Sequence, residues 1–250
     1  MEPGQVSFES LTKVYPDGTH ALTPIDLQAK AGELVAIVGP SGCGKSTLLR
    51  IASGLEPATS GVARCEGTVG FVFQDATLLP WRSVARNVEL GAELLGVSPG
   101  ERKARVAEAI DLVGLGGFEH HPPAALSGGM RMRVSLARAL VLRPTVFLFD
   151  EPFGALDEIT QERLNEELLR IFQRRPFAGL FVTHNVSEAV FLATRVVVMS
   201  SRPGRITYDV DVPFPFPRDP ELRYSPAFAS LAGDISRALR ADGALVPGGV

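Results

Sequence analysis

A glycine-rich octapeptide near the start of the chain restricts the possible folds more than any other feature. It follows five apolar residues, Leu34 to Val38, a run typical of a buried strand. Its spacing satisfies every fixed position of G-x-x-x-x-G-K-[ST]. The residues are Gly39, Pro40, Ser41, Gly42, Cys43, Gly44, Lys45 and Ser46. A helix is predicted to begin near Lys45, so the octapeptide forms a tight turn between a strand and a helix.

The octapeptide has the chemistry of a phosphate cradle. Its glycines allow successive backbone N–H groups to point inward, and the following helix directs the positive end of its dipole at the same anion. Lys45 is suited to neutralise the β- and γ-phosphates of a nucleotide, and the Ser46 hydroxyl is suited to ligate Mg²⁺. We predict that the octapeptide and Thr47 bind a nucleotide, with Cys43 as a small filler rather than a redox group.

Two adjacent carboxylates follow a second buried strand, predicted for residues 145–149. Ligands bind beyond the carboxyl ends of strands in open α/β sheets, so Asp150 and Glu151 are placed to meet one. Asp150 is suited to hold Mg²⁺, and Glu151, on the opposite side of the chain, is suited to polarise an attacking water as a general base. By themselves the two acids fit an ordinary loop equally well, but the phosphate cradle favours nucleotide hydrolysis.

Strands alternate with helices along the chain, which predicts a parallel α/β core. An antiparallel hairpin is expected in residues 6–27, around the turn signal Pro16-Asp17-Gly18. Apolar spacing predicts helices at 101–115, 128–142 and around 164–171, a strand at 179–183, two strands within 195–211, and a helix at 227–239.

The composition limits the remaining possibilities. The 250 residues carry a net charge of −3, which gives no electrostatic basis for binding nucleic acid, and 45% of them are apolar, as in a globular protein. Two cysteines are too few for a disulfide scaffold and predict a reducing compartment. Neither a signal peptide nor an apolar run of about 18 residues is visible, so we expect the chain to act outside the bilayer.

The segment Leu126-Ser127-Gly128-Gly129-Met130 heads the predicted helix at 128–142 and resembles the signature sequence of the ABC ATPase superfamily. Ser127 can cap that helix, and the two glycines permit close backbone approach to an anion. The resemblance implies that Ser127, Gly128 and Gly129 contact ATP bound to a second subunit. The nucleotide site would then be complete only in a head-to-tail dimer.

Further matches occur in the order that this family has. Tyr15 matches the aromatic residue that stacks on adenine, although a single aromatic in a hairpin is more often explained by packing. Gln74 resembles the Q-loop glutamine, which senses Mg²⁺ and the attacking water. Asp157 matches the D-loop at the dimer interface. His184 matches the switch histidine, which contacts the γ-phosphate and orients the catalytic groups.

The resemblance covers residues 5–240 and implies a single ABC ATPase domain of the α/β class. Its expected parts are a RecA-like P-loop NTPase core, an antiparallel β subdomain, and an inserted α-helical subdomain at about 75–145 that carries the signature. A mobile C-terminal tail is expected at 241–250. ATP and Mg²⁺ are the expected cofactors, with Ser46, Gln74 and Asp150 around the metal.

Three stretches, at 79–84, 151–157 and 202–206, resemble the nitrate, sulfonate and taurine group of bacterial importers. This implies a peripheral ATPase subunit on the cytoplasmic face of the membrane that pairs with a second ABC ATPase subunit, with a homodimer favoured over a pair with a similar chain. Its further partners would be an integral permease and an extracytoplasmic solute-binding protein. The permease would dock at the Q-loop region, where the patch from Leu78 to Trp81 is a candidate; a small satellite core explains that patch equally well. Met132 and Asn185 depart from the family's usual Gln and Asp without replacing a reacting group.

Two other functions fit parts of the sequence. A soluble ABC ATPase outside transport, for example of the cluster-assembly type, is the alternative function, and the importer-like stretches count against it. A regulatory nucleotide-binding module without turnover is opposed by the presence of both Glu151 and His184. The transported solute, and the choice between a homodimer and a heterodimer, cannot be read from these residues.

Overall fold

The computed structural model describes residues 4–243, which contain two β-sheets. Its strands are β1 (Gln5–Val14), β2 (His20–Lys30), β3 (Leu34–Val38), β4 (Ser60–Glu66), β5 (Val69–Val72), β6 (Val146–Asp150), β7 (Ala178–Thr183), β8 (Arg195–Met199) and β9 (Ile206–Asp211). The smaller sheet is antiparallel, with the order β2-β1-β4. The larger sheet has the order β5-β6-β7-β3-β8-β9, and its strands run parallel except that β9 is antiparallel to β8.

The helices are α1 (Lys45–Ala52), α2 (Val84–Leu94), α3 (Pro99–Leu112), α4 (Gly128–Leu140), α5 (Glu158–Arg174), α6 (Val186–Leu192) and α7 (Pro226–Gly243), with short 3₁₀ turns at Pro123–Ala125 and Pro220–Tyr224. Helices α2, α3 and α4 pack against one another and are inserted between β5 and β6. The other α-helices lie next to the strands of the larger sheet.

The larger sheet is covered on both faces, which explains why its central strands are continuous apolar runs. Every residue of β3, β6 and β7 is buried. Successive side chains of a strand point to opposite faces. Val35 and Ile37 of β3 therefore pack with α1 and the smaller sheet, whereas Leu34, Ala36 and Val38 pack with α5, α6 and the inserted helices.

Parallel strand order brings three sequence-distant segments to one edge of the sheet. Val38 pairs with Thr183, and Asp150 pairs with Val182. Strands β6, β7 and β3 are neighbours, so the residues that follow them lie close together. The carboxyl ends of these strands form the place where an open α/β sheet binds its ligands.

The α/β class with a parallel core is confirmed, as are the N-terminal hairpin and the strand Leu34–Val38. The predicted helix at 128–142 ends at Leu140, because Arg143 adopts a left-handed φ of 50° just before Pro144. The second buried strand starts at Val146 and includes Asp150. The predicted C-terminal helix is longer, spanning Pro226–Gly243. Residues 244–250 of the predicted tail lie outside the described residues, and 241–243 belong to α7.

The segment after β9 attaches to helix α6. The buried guanidinium of Arg218 donates to the carbonyl oxygens of Val190 and Phe191 at 3.1 and 2.7 Å, and burial lowers its pKa to about 10. Arg223 stacks on the ring of Phe191 at 3.4 Å. These contacts fix the C-terminal end of α6, one of the helices that border the sheet edge described above. Between residues 4 and 243, no helix has both the length and the apolar character needed to cross a bilayer.

Candidate functional site

A cavity of about 300 Å³ lies beside the glycine-rich octapeptide. Its lining residues are Tyr15, Ala21, Ser41, Gly42, Gly44, Lys45, Ser46, Thr47, Gln74, Glu151 and Arg202. Gly42 and Gly44 have φ values of 74° and 106°, which a side chain would strain. A Cβ on Gly44 would also lie 2.6 Å from Cδ2 of Leu22. Both glycines are therefore required by the turn.

Lys45 is held at the base of this cavity. Its side chain is 4% exposed, and Nζ donates to the carbonyl oxygens of Gly39 and Pro40 at 2.8 and 3.0 Å. Cys43, in the same turn, is buried, and burial raises the pKa of its thiol, which keeps it protonated. The cation is thus fixed among backbone carbonyls next to an open cavity, a position suited to receive an anion.

Ser46 and Asp150 form a pair of oxygen donors. The Ser46 hydroxyl donates to Oδ1 of Asp150 at 2.7 Å. Burial raises the pKa of Asp150, and the Ser46 bond counteracts that shift. Hard oxygen donors fit Mg²⁺, which usually keeps several waters and bridges one or two protein groups to phosphates. Within the described part of the chain, no group of three or more His, Cys, Asp or Glu residues is arranged to hold a metal ion.

The Glu151 carboxylate contacts other side chains than the neighbouring Asp150 does. Its φ of 44° is uncommon for a residue with a side chain, and its N–H donates to the carbonyl of Val182 at 2.9 Å. One carboxylate oxygen lies 3.8 Å from Nζ of Lys45, and the other lies 2.9 Å from Nδ1 of His184. The structure therefore brings together the predicted general base, the predicted switch histidine and the cradle lysine.

Tyr15, Thr47 and Gln74 border the same cavity. The Tyr15 hydroxyl is 3.1 Å from Oγ1 of Thr47 and 3.4 Å from Oε2 of Glu56, so the half-buried ring is tied to helix α1. Packing thus explains part of the position of Tyr15. Gln74 is exposed and follows strand β5, next to β6 in the sheet. Gln74 reaches the cavity because β5 lies beside β6, the strand that ends at Asp150.

The predicted signature residues lie elsewhere. Ser127 is the N-cap of α4 and accepts a hydrogen bond from the Met130 N–H at 3.2 Å. A Cβ on Gly129 would lie 2.6 Å from Cγ2 of Thr160, so this glycine permits close packing of α4 on α5. Asp157 caps α5, and the bond from the Thr160 N–H lowers the pKa of Asp157. None of Ser127, Gly128, Gly129 and Asp157 lines the cavity in this single chain.

Comparison with known proteins decides the family. The family model described as ABC transporter matches residues 22–154. The chain is 48% identical over 217 residues to an aliphatic sulfonates import ATP-binding protein, SsuB 1, of Pseudomonas syringae pv. syringae, covering 86% of this chain and 87% of that protein. The chain belongs to the ABC transporter family.

Two further comparisons extend this likeness. The nitrate import ATP-binding protein NrtD of Synechocystis is 43% identical over 234 residues, covering 88% of each chain. The dimeric ATP-binding cassette MJ0796, solved in a post-hydrolysis state with ADP and Pi, is 31% identical with a TM-score of 0.75, covering 84% of this chain and 99% of that one. The predicted ABC ATPase fold is thereby confirmed.

Arg202 is a lining residue of the ABC cavity that sequence reasoning missed. Its Nε and Nη2 donate to the carbonyl of Gly42 at 3.1 and 3.0 Å. The turn that carries it is anchored because the Gly204 N–H donates to the carbonyl of Ala21 at 2.9 Å. The turn signal Arg202-Pro203-Gly204 was visible in the sequence, but its position depends on β8 lying beside β3.

Asn185 and Met132, which differ from the usual residues of the ABC motifs, have structural roles. Asn185 is the N-cap of α6, and its Oδ1 accepts from the Glu188 N–H at 3.1 Å. Asparagine caps a helix about as well as aspartate does. Met132 is buried in the core cluster between the sheet and the inserted helices. Both substitutions are therefore compatible with the fold.

The loop before α2 is held rigidly by a buried residue that the sequence analysis did not single out. Asn87 Oδ1 accepts from the Leu79 N–H at 2.7 Å, and its Nδ2 donates to the carbonyls of Leu79, Arg82 and Ser83. On this loop Trp81 is 78% exposed, whereas Leu78 packs against the core. Leu78 therefore belongs to a core, as one interpretation of this patch predicted. Trp81 is exposed, as the permease-docking interpretation requires.

Proposed function

We propose that this chain is the ATP-hydrolysing subunit of an ABC importer for a small solute of the nitrate, sulfonate or taurine type. The observation that carries the proposal is the meeting of Lys45, the Ser46–Asp150 pair and the Glu151–His184 pair at one edge of the sheet. Relatives named for sulfonate and nitrate import support the solute class. The alternative of a soluble ABC ATPase outside transport receives no support from those names.

The site residues divide the work of hydrolysis. Lys45 exchanges the carbonyls of Gly39 and Pro40 for phosphate oxygens, while backbone N–H groups of residues 41–47 and the N-terminus of α1 surround the phosphates. Tyr15 packs beside the base, and Gln74 lines the phosphate end. When bound, Mg²⁺ would be held by Ser46 and Asp150 and would neutralise charge on the β- and γ-phosphates.

Glu151 orients the attacking water and accepts its proton. Its carboxylate is held in place by Lys45 on one side and by His184 on the other. A positioned base of this kind contributes about 10²–10⁴-fold to a proton-transfer step. His184 is 61% exposed, so it is also accessible to the terminal phosphate.

A second subunit completes each site. Within one chain the cavity lacks the residues Ser127 to Gly129, and these head a helix whose N-terminal N–H groups favour an anion. We infer a head-to-tail pair in which this segment of each copy faces the phosphates held by the other, with Asp157 at the interface. Nucleotide then favours the closed pair because it contacts both subunits, which is the differential affinity that a conformational switch requires.

The closing motion is passed to a membrane permease. Residues 75–145 form the proposed helical subdomain, and Trp81 stands exposed on a loop fixed by Asn87. Aromatic anchors on rigid loops are typical of protein interfaces. The subunit thus works at the cytoplasmic face of the membrane, and an extracytoplasmic solute-binding protein delivers the solute.

The first experiment measures ATP hydrolysis and nucleotide binding by the full chain. Lys45→Ala should lower kcat by about 100-fold or more, because it removes a fixed charge that stabilises the transferring phosphoryl group. Lys103→Ala, which removes an exposed lysine of α3, is the matched control and should leave hydrolysis unchanged. Hydrolysis by the Lys45 variant at the parental rate would reject the proposed site.

The second experiment tests the transport function. The tagged chain is purified gently from its native membranes, and every accompanying protein is identified. We expect a multi-spanning permease, and the solute-binding protein that accompanies it would identify the solute. Trp81→Ala should reduce recovery of the permease without changing ATP binding. Recovery of soluble partners alone would reject the importer function and leave the ATPase chemistry in place.

A further inference from the structure

A buried carboxylate lies one helical turn after the switch histidine and has no part in the chemistry described above. Glu188, on α6, is 4% exposed. Its Oε2 accepts from the Thr183 hydroxyl at 2.5 Å, and its Oε1 accepts from Nε2 of Gln161 at 2.9 Å. In the described part of the chain no ion pair to Glu188 is found, so neutral donors satisfy the carboxylate.

This arrangement is costly for stability. Burial raises the pKa of Glu188, and hydrogen bonds from the side chains of Thr183, Gln161 and Asn165 oppose that shift. Replacing Glu188 with leucine would remove the buried charge but leave the buried Thr183 hydroxyl without its acceptor, which opposes the gain in stability. A buried carboxylate is a costly side chain at this position, so its presence calls for an explanation other than packing. Its two acceptor oxygens allow it to join two donors that belong to different elements.

The two donors belong to segments that carry predicted site residues. Thr183 ends β7 and immediately precedes His184, and its hydroxyl also accepts from the Asn185 N–H at 3.0 Å. Gln161 lies in the first turn of α5, next to Thr160. Glu188 therefore connects the switch-histidine segment to the N-terminus of α5.

The N-terminus of α5 continues the connection to the other half of the composite site. Asp157 caps this helix, and the side chain of Thr160 packs against the backbone of Gly129 in the signature segment. A path of direct contacts thus runs from Thr183, the residue before His184, through Glu188 and α5 to both groups proposed to face the second subunit. Such contiguous packed elements can carry coupling between sites, provided that both sites bias them.

We propose that Glu188 is a positioning residue that ties His184 to the N-terminus of α5, so that the histidine reaches its working position only when the D-loop and signature segments are in place. This inference rests on the proposed function, because it assigns a role to the composite ATP site. It makes Glu188 a determinant of the hydrolysis step and leaves ATP binding, which depends on the phosphate cradle, unaffected.

Three variants of the full chain test the link. Glu188→Leu removes both hydrogen bonds and keeps the volume. Gln161→Leu, at a half-buried position, removes the Gln161 bond between Glu188 and the first turn of α5 and keeps the bond to Thr183. Glu188→Gln preserves both bonds if the Gln161 amide turns over, because the new amide then donates to Gln161 and accepts from Thr183. Ser187→Ala, at an exposed neighbouring position of α6, is the matched control.

The expected readout is a split between kcat and nucleotide Kd. Glu188→Leu and Gln161→Leu should lower kcat by about tenfold, within the loss of about 100-fold that a displacement of about 1 Å can cause. Kd for ATP should be unchanged in both variants, and the Tm of each variant is measured to show that it is folded at the assay temperature. Glu188→Gln should retain near-parental kcat. The double leucine variant should be no slower than either single variant, since both break one connection.

Several results would overturn the inference. Parental kcat in Glu188→Leu would do so, as would parallel losses of kcat and ATP affinity, or kcat losses that multiply in the double variant. If Glu188→Leu does not fold, Gln161→Leu decides by the same criteria. Failure of the proposed ATPase activity is distinguishable, because the unmodified chain would then neither bind nor hydrolyse ATP; failure of the importer function alone would leave this test unchanged.

Discussion

Nδ1 of His184 lies 2.9 Å from Oε2 of Glu151, and the two residues follow the neighbouring strands β7 and β6. The other oxygen of Glu151 lies 3.8 Å from Nζ of Lys45. A carboxylate held by a partner at each oxygen keeps its orientation. The sheet thus positions the proposed base through residues that are far apart in sequence.

Glu151→Gln should uncouple binding from hydrolysis. The amide keeps the shape of the side chain but cannot accept a proton from water, so kcat should fall by about 10²–10⁴-fold. Kd for ATP should remain near the parental value because the phosphate cradle is untouched. Glu221→Gln, at an exposed position, is the control in the same hydrolysis and binding assays. A Glu151→Gln variant that turns over ATP normally would assign the base to another residue.

Mixing inactive variants should restore hydrolysis if the sites are composite. Chains with Lys45→Ala and chains with Ser127→Arg are each expected to be inactive. In a mixed head-to-tail dimer, one site carries both defects and the other carries neither. ATPase activity should therefore appear on mixing and reach a maximum near equal amounts.

The control for this experiment mixes Lys45→Ala with Glu151→Gln. Both changes lie in the same half of the site, so every site of the mixed dimer has one defect and no activity should return. Loss of the Ser127 cap costs about 1 kcal/mol, so folding of that variant is checked by its Tm. If neither mixture recovers activity, the signature segment does not act across subunits.

Asp150→Asn should stabilise the protein while abolishing Mg²⁺-dependent hydrolysis. Burial raises the pKa of Asp150 in the folded state above its usual value of 3.8. The folded state therefore binds the proton more tightly than the unfolded state, and stability is lost as pH rises through the raised pKa. At neutral pH the amide removes this cost, so Tm measured without nucleotide or Mg²⁺ should rise.

The raised pKa of Asp150 also determines how the Tm gain of Asp150→Asn depends on pH. The Tm difference between Asp150→Asn and the parent should shrink as pH falls toward the usual aspartate value, where the parental carboxyl is protonated too. Asp211→Asn, an exposed aspartate at the end of β9, is the control and should show no rise. A lower Tm for Asp150→Asn at neutral pH would mean that the carboxylate stabilises the fold through the Ser46 bond.

Features encoded in contiguous residues could be predicted from the sequence. The octapeptide, strand β3 and the start of α1 depend on local apolar runs and glycine positions, and they were placed correctly. Helix α2 was not predicted, although Val84, Val88 and Ala92 recur every four residues behind the cap Ser83. This four-residue apolar spacing behind a serine cap is a local helix signal in the sequence.

Features that depend on strand order could not be predicted. Glu188 joins β7 to α5, so its role exists only after these elements have packed. Strand β4 is mostly exposed at the sheet edge and carries little apolar periodicity. Arg202 reaches the cavity from a turn 160 positions beyond Gly42.

Arg202 should contribute to nucleotide affinity rather than to the rate of hydrolysis. Its guanidinium donates two hydrogen bonds to the Gly42 carbonyl from outside the turn and adds a positive charge to the lining. Arg202→Ala removes both, so we expect Kd for ATP to rise by about tenfold, which corresponds to about 1.4 kcal/mol. The value of kcat at saturating ATP should stay near that of the parent, since Lys45, Glu151 and His184 are unchanged.

Two further variants separate the contributions of geometry and charge. Arg202→Lys keeps the positive charge but cannot reproduce the planar fork that binds one carbonyl through two N–H groups. If support of the Gly42 turn matters most, Arg202→Lys will bind ATP as weakly as Arg202→Ala, and the deficit will persist at high salt. If charge matters most, the lysine variant will bind normally at low salt, because screening weakens only the long-range attraction.

Arg237→Ala, at an exposed position of α7, controls for loss of a surface arginine. If Arg202→Ala and Arg202→Lys both bind ATP with the affinity of the parent, Arg202 lies outside the nucleotide site.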